Sequence, residues 1–208
     1  MFVKVCGITR LEDARLAADL GAAAIGFVFW PGSPRIVALE AAQAITSALA
    51  GQVLTVGVFV DQPVELVDRI ARAVPLSAVQ LHGSESPDYV ARLPHRAIKA
   101  VTLEGDWRQR VAALPPDVML LVDAHDPVRH GGTGQLVDWQ AAVEVAERRR
   151  TILSGGLRAA NVAAAIAAVR PFGVDVSSGV EIRPGVKDPD RLRALFEAIG
   201  PRHGDTGW

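Results

Sequence analysis

The chain has 208 residues, half of them apolar and only 5% aromatic, so its core is built from small aliphatic side chains in what reads as a single domain. The 22 basic and 23 acidic residues leave a formal net charge of -1, which gives no footprint for nucleic acid or an anionic membrane as partner. A single cysteine excludes an internal disulfide, and the absence of a leader-like or membrane-length apolar run makes the cytoplasm the expected home.

In chain order, short apolar runs of strand length alternate with amphipathic stretches. The runs are Phe2–Cys6, Ala24–Phe29, Leu54–Val60, Ala78–Leu81, Ala97–Val101, Val118–Asp123, Thr151–Ser154 and Gly173–Ser177. Most are rich in Val and Ile, as buried strands are. Between them, Leu11–Leu20, Leu39–Leu49, Val64–Val74, Pro87–Leu93, Trp107–Leu114, Trp139–Arg148, Ala160–Val169 and Pro189–Ile199 space their apolar residues by three and four, as helices do. Strand starts recur about every 24 residues, the length of a compact βα unit. Eight such units close into a single α/β domain, a (β/α)8 TIM barrel over residues 1–200. The polar, Gly-rich residues 201–208 are expected to fray. The architectural alternative is an open doubly wound sheet, which the count of eight disfavours.

In such a barrel the chemistry sits where strands end and the following loops begin. Cys6 closes the first run, as a base or nucleophile or as a small buried hydrophobe. Period-two alternation puts Lys4 on the same face, where it needs an acidic partner and would favour a thiolate. After the second run a rigid turn presents Arg35, suited to a carboxylate or phosphate, or to a surface salt bridge. Gln80 and His82 share a face at the end of the fourth run and either bind substrate or brace a loop. Asp123 ends the sixth, apolar run, as a general acid or as a cap. The long loop after it holds Gly131, Gly132, Thr133 and Gly134, a mobile lid, an anion cradle or plain turn chemistry. Gly155 and Gly156 follow the seventh run and Ser177, Ser178 and Gly179 the eighth, where backbone amides can approach a phosphate closely. Asp175 either pairs with Lys4 or touches a substrate hydroxyl. No cluster of His and Cys ligands calls for a metal.

Taken in order, KVCGITR (Lys4–Arg10), FWPGSPR (Phe29–Arg35), VGVF (Val56–Phe59), VQLHG (Val79–Gly83), Asp123 with GGTG (Gly131–Gly134), LSGGL (Leu153–Leu157) and GVDVSSGVE (Gly173–Glu181) with Pro184–Asp188 resemble the phosphoribosylanthranilate isomerase family. Each motif is modest; their ordered conjunction from residue 3 to about 198 is specific. The resemblance implies an Amadori rearrangement of N-(5-phosphoribosyl)anthranilate to 1-(2-carboxyphenylamino)-1-deoxyribulose 5-phosphate in tryptophan biosynthesis. It maps the general base onto Cys6, the general acid onto Asp123 and the contact with the anthranilate carboxylate onto Arg35. The phosphate would lie on Gly155, Gly156, Ser178, Gly179 and neighbouring amides. It implies a small-molecule substrate and no cofactor; the alanine-rich outer helices leave a monomer or a homodimer equally open. Gly32, where a lysine often precedes SPR, and Ser84, where an acid usually follows LHG, depart from the family pattern without touching the acid–base pair. The competing expectations are a barrel isomerase of histidine biosynthesis, which should carry an aspartate in place of Cys6, and a non-catalytic phosphate-ligand binding protein, which should lack the acid or the base.

Overall fold

A computed structural model describes residues 1–49, 51–123 and 138–200. Eight parallel strands close on themselves: β1 (Phe2–Cys6), β2 (Ala24–Val28), β3 (Leu54–Phe59), β4 (Ala78–Leu81), β5 (Ala97–Val101), β6 (Met119–Val122), β7 (Thr151–Leu153) and β8 (Gly173–Val176). The helices between and after them are α1 (Leu11–Asp19), α2 (Leu39–Leu49), α3 (Val64–Ala73), α4 (Pro87–Arg92), α5 (Trp107–Ala113), α6 (Trp139–Ala146), α7 (Ala159–Val169) and α8 (Pro189–Ile199). Every expected strand and helix is present, most of them a residue or two shorter than the apolar runs suggest. The sequence supplies the helix starts: Ser86, Asp138 and Asp188 cap the first turns of α4, α6 and α8 with side-chain oxygens, and Pro87 and Pro189 follow two of these caps.

Closure is sealed by β1, which pairs with β2 on one side and β8 on the other, setting Cys6 opposite Gly26 and Lys4 opposite Asp175. Alternation then sorts the side chains. Residues pointing outward, such as Val3, Val5, Ile25, Phe27, Val79 and Leu81, join the helices in the main core. A second cluster of Phe2, Ala24, Val56, Ala78, Ile98, Met119, Leu121 and Ile152 accounts for the inward positions of the lower barrel. Further along the same inward rows come Lys4, Cys6, Gln80 and Asp175, so the interior turns polar toward the C-terminal mouth.

One element goes beyond the expected alternation. After β8 and a turn of 3-10 helix (Ser178–Val180), a small antiparallel hairpin forms from β9 (Glu181–Arg183) and β10 (Val186–Lys187). Its tight turn uses Gly185 at a φ of 79°, a left-handed conformation that glycine adopts without strain. Pro184 and Gly185 make the segment read as loop in sequence. The hairpin matters because it returns Glu181 and Lys187 to the barrel mouth.

Candidate active site

The mouth is built around three linked groups of side chains. In the first, Lys4 is fully buried and donates to Asp175 Oδ1 at 2.9 Å. The expected pairing of these two residues is thus present, across the seam where β1 meets β8. Burial alone would lower the Lys4 ammonium, but Asp175 and then Cys6 outweigh it and hold its pKa above the ordinary value. Cys6 lies beside this pair and is almost wholly buried. Burial pushes its thiol up; Lys4 pulls it back, Asp175 adds to the rise, and Lys187 acts with Lys4. Gly26 makes the room: a Cβ there would stand 2.8 Å from Cys6 Sγ and 3.2 Å from Lys4 Nζ.

The second group crosses the mouth. Gln80 Nε2 lies 2.8 Å from His82 Nδ1, and His82 Nε2 lies 3.2 Å from Asp123 Oδ2. With the amide donating to Nδ1, the other imidazole nitrogen, Nε2, is directed at Oδ2 of Asp123. Asp175 joins the two groups. Burial raises its carboxyl and Lys4 opposes this; the Asp123 charge then raises it further while His82 lowers it. The sequence offered Gln80 and His82 as substrate ligands; here both engage the row that ends on Asp123.

The third group is an ion chain over the Cys6 end of β1. Arg35 grips Glu181 with Nε at 3.0 and 3.1 Å and Nη2 at 2.8 Å. Glu181 Oε1 in turn accepts from Lys187 Nζ at 2.8 Å, and that ammonium also donates to the Cys6 carbonyl at 2.5 Å. Burial would raise the Glu181 carboxyl, but Arg35 and Lys187 hold it below its ordinary value. Arg35 therefore stands at the mouth as expected, with one edge committed to an internal carboxylate. The Nη1 donors lie outside that grip.

The loops after β7 and β8 meet. Gly155 and Gly156 adopt φ values of 88° and 61°, and Asn161 closes the turn by donating to the Gly156 carbonyl at 3.0 Å and accepting from the Arg158 amide at 2.8 Å. Gly179, in the turn after Ser177 and Ser178, packs so tightly on the Leu157 carbonyl that any Cβ would collide with it. The loop after β8 thus packs directly on the backbone of the loop after β7. Gly131, Gly132, Thr133 and Gly134 lie outside the described residues.

Sequence reasoning missed Gly26 and the joint role of Glu181 and Lys187, although the last two stand inside quoted motifs. It also missed a brace on the β4 side, where buried Lys99 donates to Glu85 Oε2 at 3.0 Å and to the Gly83 carbonyl at 2.7 Å. Among the described residues no group of three or more His, Cys, Asp or Glu side chains is arranged to hold a metal ion, and no helix is long and apolar enough to cross a membrane.

Fold and rim together define a class: a (β/α)8 barrel with an ionisable mouth and glycine-rich loops after its last two strands. The family model described as N-(5'phosphoribosyl)anthranilate (PRA) isomerase matches residues 3–198. The N-(5'-phosphoribosyl)anthranilate isomerase of Pelobacter propionicus is 47% identical over 200 residues, covering 93% of each chain. The crystal structure of phosphoribosyl anthranilate isomerase from Thermus thermophilus superposes with a TM-score of 0.86 at 46% identity, covering 96% of this chain and 98% of that one. A phosphoribosyl anthranilate isomerase in complex with reduced 1-(o-carboxyphenylamino)-1-deoxyribulose 5-phosphate superposes with a TM-score of 0.85 at 39% identity, covering 97% of this chain and all of the other. The chain belongs to the N-(5'-phosphoribosyl)anthranilate isomerase family.

Proposed function

We propose that residues 1–200 form the catalytic barrel of a tryptophan-biosynthesis isomerase, with Asp123 as general acid and Cys6 as general base. The reaction converts N-(5-phosphoribosyl)anthranilate to 1-(2-carboxyphenylamino)-1-deoxyribulose 5-phosphate. Asp123, in its protonated form and with Oδ2 turned to His82, delivers its proton to the furanose ring oxygen as the bond from that oxygen to C1′ breaks, leaving a Schiff base. The Schiff base acidifies the C2′ proton, which the Cys6 thiolate removes. The resulting enol relaxes to the ketone, so the balance is an internal redox change with no external electron acceptor. Each assisted proton transfer contributes about 10²–10⁴-fold to rate.

The observation that carries this reading is the convergence on one mouth of the Cys6–Lys4–Asp175 group and the Gln80–His82–Asp123 row, from strands distant in sequence. Arg35 meets the anthranilate carboxylate with the donors that Glu181 leaves open. The phosphate takes the cradle of Gly155, Gly156, Ser178 and Gly179, where main-chain amides approach an anion without side-chain hindrance. Gln80 and His82 act on Asp123 and Asp175 holds Lys4, each from a position at the edge of the substrate. The enzyme works in the cytoplasm.

The test is conversion of substrate generated in situ from anthranilate and phosphoribosyl pyrophosphate by a separate transferase, followed by fluorescence and chromatography. Rapid conversion is expected. A folded protein that binds phosphate and converts nothing would contradict the substrate assignment.

A further inference from the structure

We propose that Lys187, held by Glu181 and Arg35, is the positioning residue of the Cys6 base: it grips the strand end that bears the thiol and supplies positive charge that favours the thiolate against the effect of burial. The proposal rests on Cys6 being the base.

The geometry requires an explanation of this kind. An ammonium withdrawn from water is costly unless it is paired and fully hydrogen-bonded. Lys187 is only 2% exposed, yet it spends one of its three donors on the Cys6 carbonyl and another on Glu181, with the Ser177 carbonyl 3.5 Å away. A strut for the hairpin alone needs no contact with β1. Glu181 in turn carries two cations, so it does not cancel Lys187 by itself.

The charges around the sulfur can be balanced. Lys4 and Asp175 act on it from β1 and β8 and Lys187 from the hairpin; Glu181 stands behind Lys187, and Arg35, from the turn after β2, stands behind Glu181. Asp13 of α1 reaches the Lys187 main-chain N–H, at 3.0 Å, rather than its ammonium. His82 and Asp123 act on Asp175. Lys4, Lys187 and Arg35 thus stand against the carboxylates Asp175 and Glu181, and a thiolate at Cys6 brings the cluster to neutrality. Burial and Asp175 work against the anion and leave the thiol raised; Lys4 and Lys187 oppose that rise.

Cys6 is the only cysteine, so the ultraviolet absorbance of its thiolate can be titrated against the Cys6→Ala protein as blank. Lys187→Met should move the midpoint up by about one pH unit, leaving roughly tenfold less thiolate at a fixed pH below it. Turnover should fall in proportion with KM nearly constant. Glu181→Gln should move the midpoint down, because both cations remain. A purely structural strut would shift the two variants in the same direction, or neither. A folded Lys187→Met protein with an unchanged midpoint, or both variants shifting together, would overturn the proposal. If Lys187→Met does not fold, Glu181→Gln decides alone: a lowered midpoint supports the charge role, an unchanged or raised one refutes it. Full turnover by Cys6→Ala would instead sink the base assignment, since the midpoints are read without turnover.

Discussion

Opposite Cys6 the neighbouring strand carries no side chain. Gly26 leaves the space that the sulfur and the Lys4 ammonium fill, and a methyl group there would overlap both. Gly26→Ala is therefore expected to cost about 1–3 kcal/mol, the usual range for overpacking, and to reduce turnover; urea melts and the conversion assay measure the two, and unchanged values for both would show that the pocket relaxes freely. This position illustrates what sequence conceals. Cys6 and Asp123 are legible because a thiol and a carboxylate at the ends of apolar strands are chemically conspicuous. Gly26 is an unremarkable glycine inside AIGFV, and its meaning appears only when register sets it against Cys6. Arg35 was legible as an anion ligand, whereas its committed partner lies 146 residues away.

At the scale of elements, the βα alternation was enough to place all eight barrel strands, and the period of two put Lys4 with Cys6 and Gln80 with His82 on shared faces; that Lys4, Cys6, Gln80 and Asp175 lie on the inward rows is visible only in the closed sheet. The β9–β10 hairpin was not legible in sequence, since two- and three-residue strands around Pro184-Gly185 carry no periodic signal. That hairpin brings a pH-sensitive clamp. Glu181 titrates below its ordinary 4.5 because Arg35 and Lys187 outweigh the effect of its burial. A carboxylate with a depressed folded-state pKa adds stability above the unfolded value, and that stability is lost as pH falls through the folded value. Wild type should thus lose stability steeply below about pH 4.5, and Glu181→Gln should lose it less steeply. Denaturant melts across that range check the sign; parallel curves would show that the clamp contributes nothing to acid stability. The loops after β7 and β8 make a second element-level unit. Gly179→Ala should push them apart at the Leu157 carbonyl and raise KM several-fold more than it lowers kcat, if the cradle binds the phosphate; a kcat loss with unchanged KM would contradict that.

For the molecule as a whole, closure of the sheet decides what the site contains. Pairing of β1 with β8 brings Lys4 to Asp175, residues 171 apart in the chain, and it carries the hairpin after β8 back over Cys6. Sequence order cannot display such a juxtaposition; the count of eight units implies it only through the barrel. A ligand that binds the folded barrel and not the unfolded chain must raise its stability by RT ln(1 + [L]/Kd). Inorganic phosphate should therefore raise the melting temperature of the wild type in a concentration-dependent way, and should do so less in Gly179→Ala. Equal shifts in the two proteins would remove the cradle from phosphate binding.

The most direct test of the acid–base account is the conversion of freshly generated N-(5-phosphoribosyl)anthranilate by wild type, Cys6→Ala and Asp123→Asn, with folding of each checked by circular dichroism. The account predicts rapid turnover by the wild type and a loss of about 10²–10⁴-fold in each variant, with the fold intact. Turnover near the wild-type rate in either folded variant would contradict it, and would move the proton transfer to another group at the mouth.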